Sequence, residues 1–389
     1  MKNAISIVIL LFSLTLNGQP KIDSTLIFPV QEKHVHSSSI VELSNGDLLV
    51  CWFKGSGERW ANDVVIQGAR LKKGEVKWSE PFLMADSPGE PDCNPVLFLN
   101  RNGKLFMVWI VVKGNRWETS LLKVKTTTNY NNEGSPKWDK QDSILMRPGV
   151  EFEKRVKDQF KNNSREDLTN AEYAPSYETM LTEAAKDPKK RETGWMTRTH
   201  PIILGNGKIL LPLYSDGFNF GLIAISEDQG ESWKCSLPIV GRGLNQPSLI
   251  ERRDGSIDAY MRQDGDEPSS IMISHSADQG YSWTFARKSE LPNPGASIEV
   301  IRLKRGNWLL AYNDTADGRY SLVVAISDDE GATWKWKKNI ENKKGGSYSY
   351  PSVIQSNDGL IHMTYSYQNL VKQESIKYVV FEESWIKNR

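Results

Sequence analysis

Cysteine is scarce in this chain: Cys51, Cys93 and Cys235 are the only three in 389 residues. An odd handful without metal-ligand spacing excludes a disulfide framework and a thiolate metal site, and the three read as small buried apolar thiols. An excess of charge of one sign is also missing. Lys and Arg number 49 against 48 Asp and Glu, for a net charge of +1. This argues against a nucleic-acid or membrane-surface partner, so any recognition by charge must be local. Long apolar runs are confined to the N-terminus, where Met1-Lys2-Asn3, the stretch from Ala4 to Leu16 and Asn17-Gly18-Gln19 have the form of a secretory leader. The run is too short to span a bilayer, and no lipid-attachment cysteine follows. The expectation is a signal peptide over residues 1–19, one domain over 20–389, and a periplasmic or secreted location. No cluster of His and carboxylates has metal spacing, so no metal and no cofactor are expected.

What the chain has in quantity is repetition. Ser-x-Asp-x-Gly-x-x-Trp occurs at Ser226 to Trp233, Ser276 to Trp283 and Ser327 to Trp334, spaced by about 50 residues. Each copy follows a strand-like run, so the Asp and Gly make a tight turn and the Trp packs beneath it. A second signal, two apolar runs around a Gly turn, appears six times, at Asn45-Gly46, Asn102-Gly103, Asn206-Gly207, Asp254-Gly255, Arg305-Gly306 and Asp358-Gly359. Each is followed by a Trp: Trp78, Trp138, Trp233, Trp283, Trp334 and Trp385. The pattern predicts an all-β fold, a six-bladed β-propeller of four-stranded antiparallel blades. The excess length between Gly149 and Thr193 has helical character and predicts a helical insertion between blades two and three. Few residues follow Trp385, so the run from Ser24 to Val30 is expected to supply the last outer strand and close the ring.

In such blades the strand 1–2 hairpins and the Trp turns share one face, which puts the 2–3 loops and the links into strand 1 on the other. At the opening of the innermost strands stand Asn94, His200, Gln246 and Tyr350, each before a Pro, with Ser37 and Ser297 at the same register beside His36 and Glu299. Such a polar ring lines a site or forms a satisfied hydrogen-bond network. The 2–3 loops and adjoining ends bring Arg59, Arg116, Arg198, Arg262 and Arg319 toward this mouth, and converging guanidiniums call for an anion. Carboxylates on the face are Asp63, Asp92, Asp216, Glu299 and Asp314. Asp63 is expected to be buried enough to raise its pKa for general-acid work. Tyr348 and Tyr350, two apart, are expected to share one strand face.

With three in-register repeats, six blades and this ring, the chain resembles the sialidase superfamily, whose Asp-box is the Ser-x-Asp-x-Gly-x-x-Trp element. The phrases that carry the likeness are His36-Ser-Ser-Ser-Ile, Asn94-Pro-Val, Arg198-Thr-His-Pro201, Gln246-Pro-Ser-Leu and Tyr348-Ser-Tyr-Pro. Sialidases hold a substrate carboxylate with three arginines, protonate the leaving group with an Asp and attack with a Tyr activated by a Glu. The resemblance implies Arg262 and Arg319 as two of the arginines, Asp63 as acid/base, and Tyr350 or Tyr348 as nucleophile. His36 stands where the first arginine belongs and Gln246 where the Glu belongs, which leaves Glu299 or another base to serve the Tyr.

The reading is a secreted, exo-acting sialidase-like glycoside hydrolase that releases a terminal acidic sugar, sialic acid or a related uronic or keto-sugar acid, from a glycan partner. Catalysis is assigned to Asp63, Tyr350, Tyr348 and Glu299. Binding is assigned to His36, Arg59, Arg116, Arg198, His200, Gln246, Arg262, Asn313 and Arg319. The alternatives are a polysaccharide lyase, with the arginines neutralising a uronate while Tyr350 or His200 removes a proton, and a non-catalytic glycan-binding propeller.

Overall fold

The computed structural model describes residues 22–163, 175–264 and 268–388; the apolar leader lies outside them. Six four-stranded antiparallel sheets follow one another as blades. Five are continuous runs of chain, at 34–85, 92–143, 202–235, 244–292 and 299–342. The sixth combines Ser347–Gln355, Ile361–Gln368 and Glu374–Phe381 with the N-terminal strand Ile22–Leu26, which pairs along the outer edge from Ile22 with Phe381 to Leu26 with Lys377. The ring therefore closes through the N-terminal run as expected, with the strand at Ile22–Leu26 and not across the whole of Ser24 to Val30. No helix among the described residues is long and apolar enough to cross a membrane.

The Asp-boxes act as local clamps. In the first, Ser226 Oγ donates to Asp228 Oδ1 at 2.8 Å and accepts from the Gly230 N–H at 2.7 Å, while Asp228 Oδ1 accepts from the Ser232 N–H at 2.9 Å. The copies at Asp278 and Asp329 repeat this pattern. The turn needs two successive positive φ values, 63° and 95° at Gln229 and Gly230, which is why Gly occupies the second position. Trp385 departs from the pattern: it lies on the short helix Glu383–Lys387 and packs on Phe381 with ring centroids 5.2 Å apart.

The insertion is helical as expected: α1 (Val150–Asn162), α2 (Pro175–Ala184) and α3 (Pro188–Glu192). Helix α1 buries Phe152, Val156 and Phe160, with Phe152 meeting Trp195 and Phe218 and Phe160 meeting Phe220 and Phe285. The insertion is thus sealed onto blades three and four by aromatic packing. An Arg242 to Glu178 ion pair at 2.8 Å ties α2 to the same side. Cys51 and Cys93 are buried, Cys235 is half-buried, and all three are free thiols.

The innermost strands are edges, and side chains on the axis satisfy them. Ser39 Oγ accepts from the Leu97 N–H, Ser248 Oγ from Val300, Ser352 Oγ from Ile40, and Glu299 Oε2 from Val353, at 2.5 to 3.1 Å. All four acceptors stand two residues beyond the ring positions Ser37, Gln246, Tyr350 and Ser297. Glu299 therefore fills the register where three other blades carry a Ser, and joins one blade to the next.

Candidate active site

Four ring residues, Ser37, Asn94, Gln246 and Tyr350, are left-handed, with φ of 58°, 49°, 55° and 59°. At each, the inner strand carries one extra residue and the ladder shifts, between His36 and Ser39, Cys93 and Val96, Asn245 and Ser248, and Ser349 and Ser352. A left-handed bulge costs a non-glycine residue about 1–3 kcal/mol and re-aims its side chain. Here it breaks the alternation that would have put Tyr348 and Tyr350 on one face. Tyr350 turns to the axial mouth, whereas Tyr348 is buried in an apolar cluster with Tyr365 and Leu322, 5.4 Å from the Tyr367 ring. The expectation of a shared face is corrected by that bulge. His200 and Ser297, at the same register in blades three and five, are not left-handed.

Tyr350 is the hub of the mouth. Its Oη accepts from Arg262 Nη1 at 2.9 Å and from Gln246 Nε2 at 3.1 Å. The guanidinium carbons of Arg198 and Arg319 lie 4.9 and 5.4 Å from its ring centroid, and the His36 ring lies 4.0 Å away. The Gly295 carbonyl accepts from both Arg262 and Arg319, at 3.2 and 2.9 Å, and fixes the two forks side by side. Arg262 also pairs with Asp264 at 2.8 Å. Arg198 is fully buried, donates to the Pro351 carbonyl at 2.8 Å, and makes no ion pair among the described residues; burial pulls its pKa down. Burial and the positive charge of His34, Arg319, Arg198 and Arg262 hold His36 well below the usual histidine range, so it is neutral.

The carboxylates divide sharply. Asp63 was expected to be buried with a raised pKa, and the structure corrects this. Its Oδ1 accepts from the Ser56 N–H and hydroxyl at 2.9 and 2.7 Å, and its Oδ2 pairs with Lys33 at 3.1 Å, at a side chain 43% exposed. Those bonds hold it at about 2, the state of an ionised turn cap. Asp216 has the opposite environment. It follows blade three's second strand, its Oδ1 is buried without a hydrogen-bond partner among the described residues, and burial raises its pKa despite nearby Arg262. Glu299 accepts from the His200 N–H and faces His200 Nδ1 at 3.0 and 2.8 Å, besides its bond from Val353. His200 Nε2 faces the Ile40 carbonyl at 2.9 Å. Both residues are built into the axial network.

The remaining candidates lie apart from the hub. Asn313 donates to the Ser321 and Tyr348 carbonyls at 3.0 and 2.8 Å, a clip between blades five and six. Arg59 and Arg116 line a 620 Å³ cleft with Trp117, Asp216 and residues of α2 and α3. A smaller 190 Å³ pocket holds His34, His36, Glu58, Arg319 and Glu374. There His34 pairs with Glu374 at 2.8 Å and with Glu58 at 3.4 Å; these outweigh burial and raise it to about 9. Sequence reasoning named Asp216 but gave it no role, and passed over Trp117, Lys189 and Lys190. The Lys189-Lys190 pair inside the insertion was the available signal.

The chain matches the BNR repeat-like domain family over residues 46–162 and 183–363. It is 26% identical over 173 residues to a sialidase of Micromonospora viridifaciens, a stretch covering 41% of this chain and 25% of that protein, so the chain spans about a quarter of the length of the curated relative it matches. Among solved structures, it resembles a protein of unknown function from Dyadobacter fermentans (TM-score 0.67, 16% identity, 93% of this chain and 99% of that one). It also resembles the NanB sialidase of Streptococcus pneumoniae (TM-score 0.68, 12% identity, 96% and 72%). With repeats, blade count and family match in agreement, this chain belongs to the BNR repeat-like family and is a propeller of the sialidase superfamily.

Proposed function

We propose that the protein is a secreted or periplasmic exo-acting glycoside hydrolase that releases a terminal acidic sugar, with Tyr350 as nucleophile. The observation that carries this reading is the convergence of Arg198, Arg262, Arg319 and His36 on one tyrosine. Arg262 and Arg319, fixed by one carbonyl, offer a paired fork to a sugar carboxylate beside the phenol. Tyr350 Oη attacks the anomeric carbon, and negative charge on that oxygen meets two N–H donors. The phenol proton leaves to water as the bond forms, and neutral His36, packed on the ring with centroids 4.0 Å apart, holds the tyrosine in place. Asp216, whose raised pKa favours the acid form, protonates the departing oxygen and then draws the proton from the water that releases the sugar. A tyrosine nucleophile is a recognised exception to the two-carboxylate scheme.

The N-terminal leader-like run supports export. One observation favours a second reading: Gln246 presents an amide, not a carboxylate, to Tyr350 Oη. An elimination on a uronate needs no carboxylate partner for the tyrosine. Aryl glycosides of sialic, uronic and other keto-sugar acids, incubated with wild type and Tyr350→Phe, test the proposal. Release of a saturated acidic sugar by wild type alone supports hydrolysis; an unsaturated uronate supports elimination.

A further inference from the structure

The cleft beside the hub has a construction of its own. One wall is the guanidinium of Arg59, whose carbon lies 5.5 Å from the Trp60 ring centroid and 5.6 Å from that of Trp117. Arg59 makes no ion pair among the described residues, and Trp60 is 63% exposed. On the same lining, α3 presents Lys189 and Lys190, also without ion pairs among the described residues. Arg116 adds a further cation, held at 3.5 Å from an exposed Glu118. The carboxyl groups on the lining are Glu118 and Asp216, and the second is shifted toward its neutral form, which leaves the four cations in excess.

The lysines are presented by a fixed element. Asp187 caps the Lys189 N–H at 2.9 Å. Buried Arg191 donates to the Pro148, Ala185 and Lys186 carbonyls, and Trp195 Nε1 donates to the Arg191 carbonyl at 2.7 Å. Unpaired cations beside an indole wall suit a sugar ring that carries a negative charge: the ring lies on the aromatic face and the anion takes the cations. At 620 Å³ the cleft falls within the roughly 300–1,000 Å³ of small-ligand sites. Asp216 lines this cleft and lies near Arg262 of the hub, so the two compartments adjoin.

We propose that this cleft binds a second, anionic sugar on the leaving-group side. The substrate is then an oligosaccharide charged on at least its last two residues, by carboxylate or sulfate ester. The assignment of the leaving side rests on the hydrolase reading above; the binding of a charged sugar in the cleft does not.

Calorimetric titration of the full chain with digalacturonate, a sulfated galactobiose and neutral galactobiose tests it without requiring turnover. Wild type is expected to bind at least one charged disaccharide about tenfold more tightly than the neutral one, with affinity falling as salt rises. The tighter of the two charged probes tells carboxylate from sulfate. The pair Lys189→Ser and Lys190→Ser should remove that preference and leave neutral binding unchanged, whereas Trp117→Ala should weaken all three ligands. Equal binding of charged and neutral disaccharides, no binding of either, or full affinity in the lysine variant would overturn the proposal. A charge preference that vanishes with the lysines, in a protein that hydrolyses no acidic glycoside, would retain the charged-sugar site and sink the hydrolase reading instead.

Discussion

The two faces of this propeller use the same unusual backbone conformation to opposite ends. On the Asp-box face, left-handed residues recur in identical turns, Gln229-Gly230, Gln279-Gly280 and Glu330-Gly331, with clamping Ser and Asp side chains that satisfy one another. At the inner-strand bulges of the axial face the left-handed residues are Ser37, Asn94, Gln246 and Tyr350, each a different residue. Buried polar atoms around them, on Ser37, Gln246, Arg198, Arg262 and Asp216, lack partners among the described residues. Where blades repeat, local chemistry is closed and the fold is being specified. Where they differ, buried donors and acceptors are left without protein partners among the described residues.

The largest expected effect falls on the open face. Tyr350→Phe should lower turnover of an acidic glycoside by on the order of 10³-fold or more, while Tyr348→Phe, in the apolar cluster, leaves it near wild type. Equal losses would erase the distinction drawn from the bulge. Next come the two aspartates. Asp216→Asn should cost about 10²–10⁴-fold, the usual worth of a general acid, and Asp63→Asn much less. The pH profile carries the same contrast. The acid form of Asp216 is lost as pH rises through its raised pKa. Activity that declines on the alkaline side follows, and Asp216→Asn should remove that decline; a limb that persists would take the acid role from Asp216.

Smaller effects belong to the closed face. Asp228→Ala removes a clamp and should cost about 1–2 kcal/mol in urea denaturation without altering kcat/KM. A loss of activity at constant stability would mean that the Asp-boxes do more than define blades. The smallest effect is one of linkage at His34. Its folded pKa is raised to about 9 from 6.5, so its ion pairs with Glu374 and Glu58 contribute stability that is fully present below pH 6.5 and lost as pH rises through about 9. His34→Gln should flatten that alkaline decline in Tm; an unchanged slope would place the titration elsewhere.

Blade count, ring closure and insertion were legible because turns are local: a Gly with positive φ and an Asp that caps it leave a fixed spacing in the chain. The convergence of His36, Gln246, Arg262 and Arg319 on Tyr350 was legible through register, since each blade repeats the same path to the axis. Two features were not. The bulges at Asn94, Gln246 and Tyr350 hide in sequence because a residue before Pro is ordinarily extended, so the alternation that paired Tyr348 with Tyr350 failed. Burial of the carboxylates was hidden as well, because it depends on long-range packing. Asp63 meets Ser56 and Lys33 on an open loop, whereas Asp216 lies under neighbours from other blades. Glu299 was recoverable: counting two residues past each ring position aligns it with Ser39, Ser248 and Ser352, and marks it as a joint of the axis.

The most direct measurement is the identity of the product. Wild type and Tyr350→Phe are each incubated with the panel of acidic glycosides, and the released sugar is read by proton NMR. A saturated acidic monosaccharide formed by wild type and absent with Tyr350→Phe is the predicted result. An unsaturated uronate, or a saturated sugar released equally by both, would contradict a tyrosine-centred hydrolase.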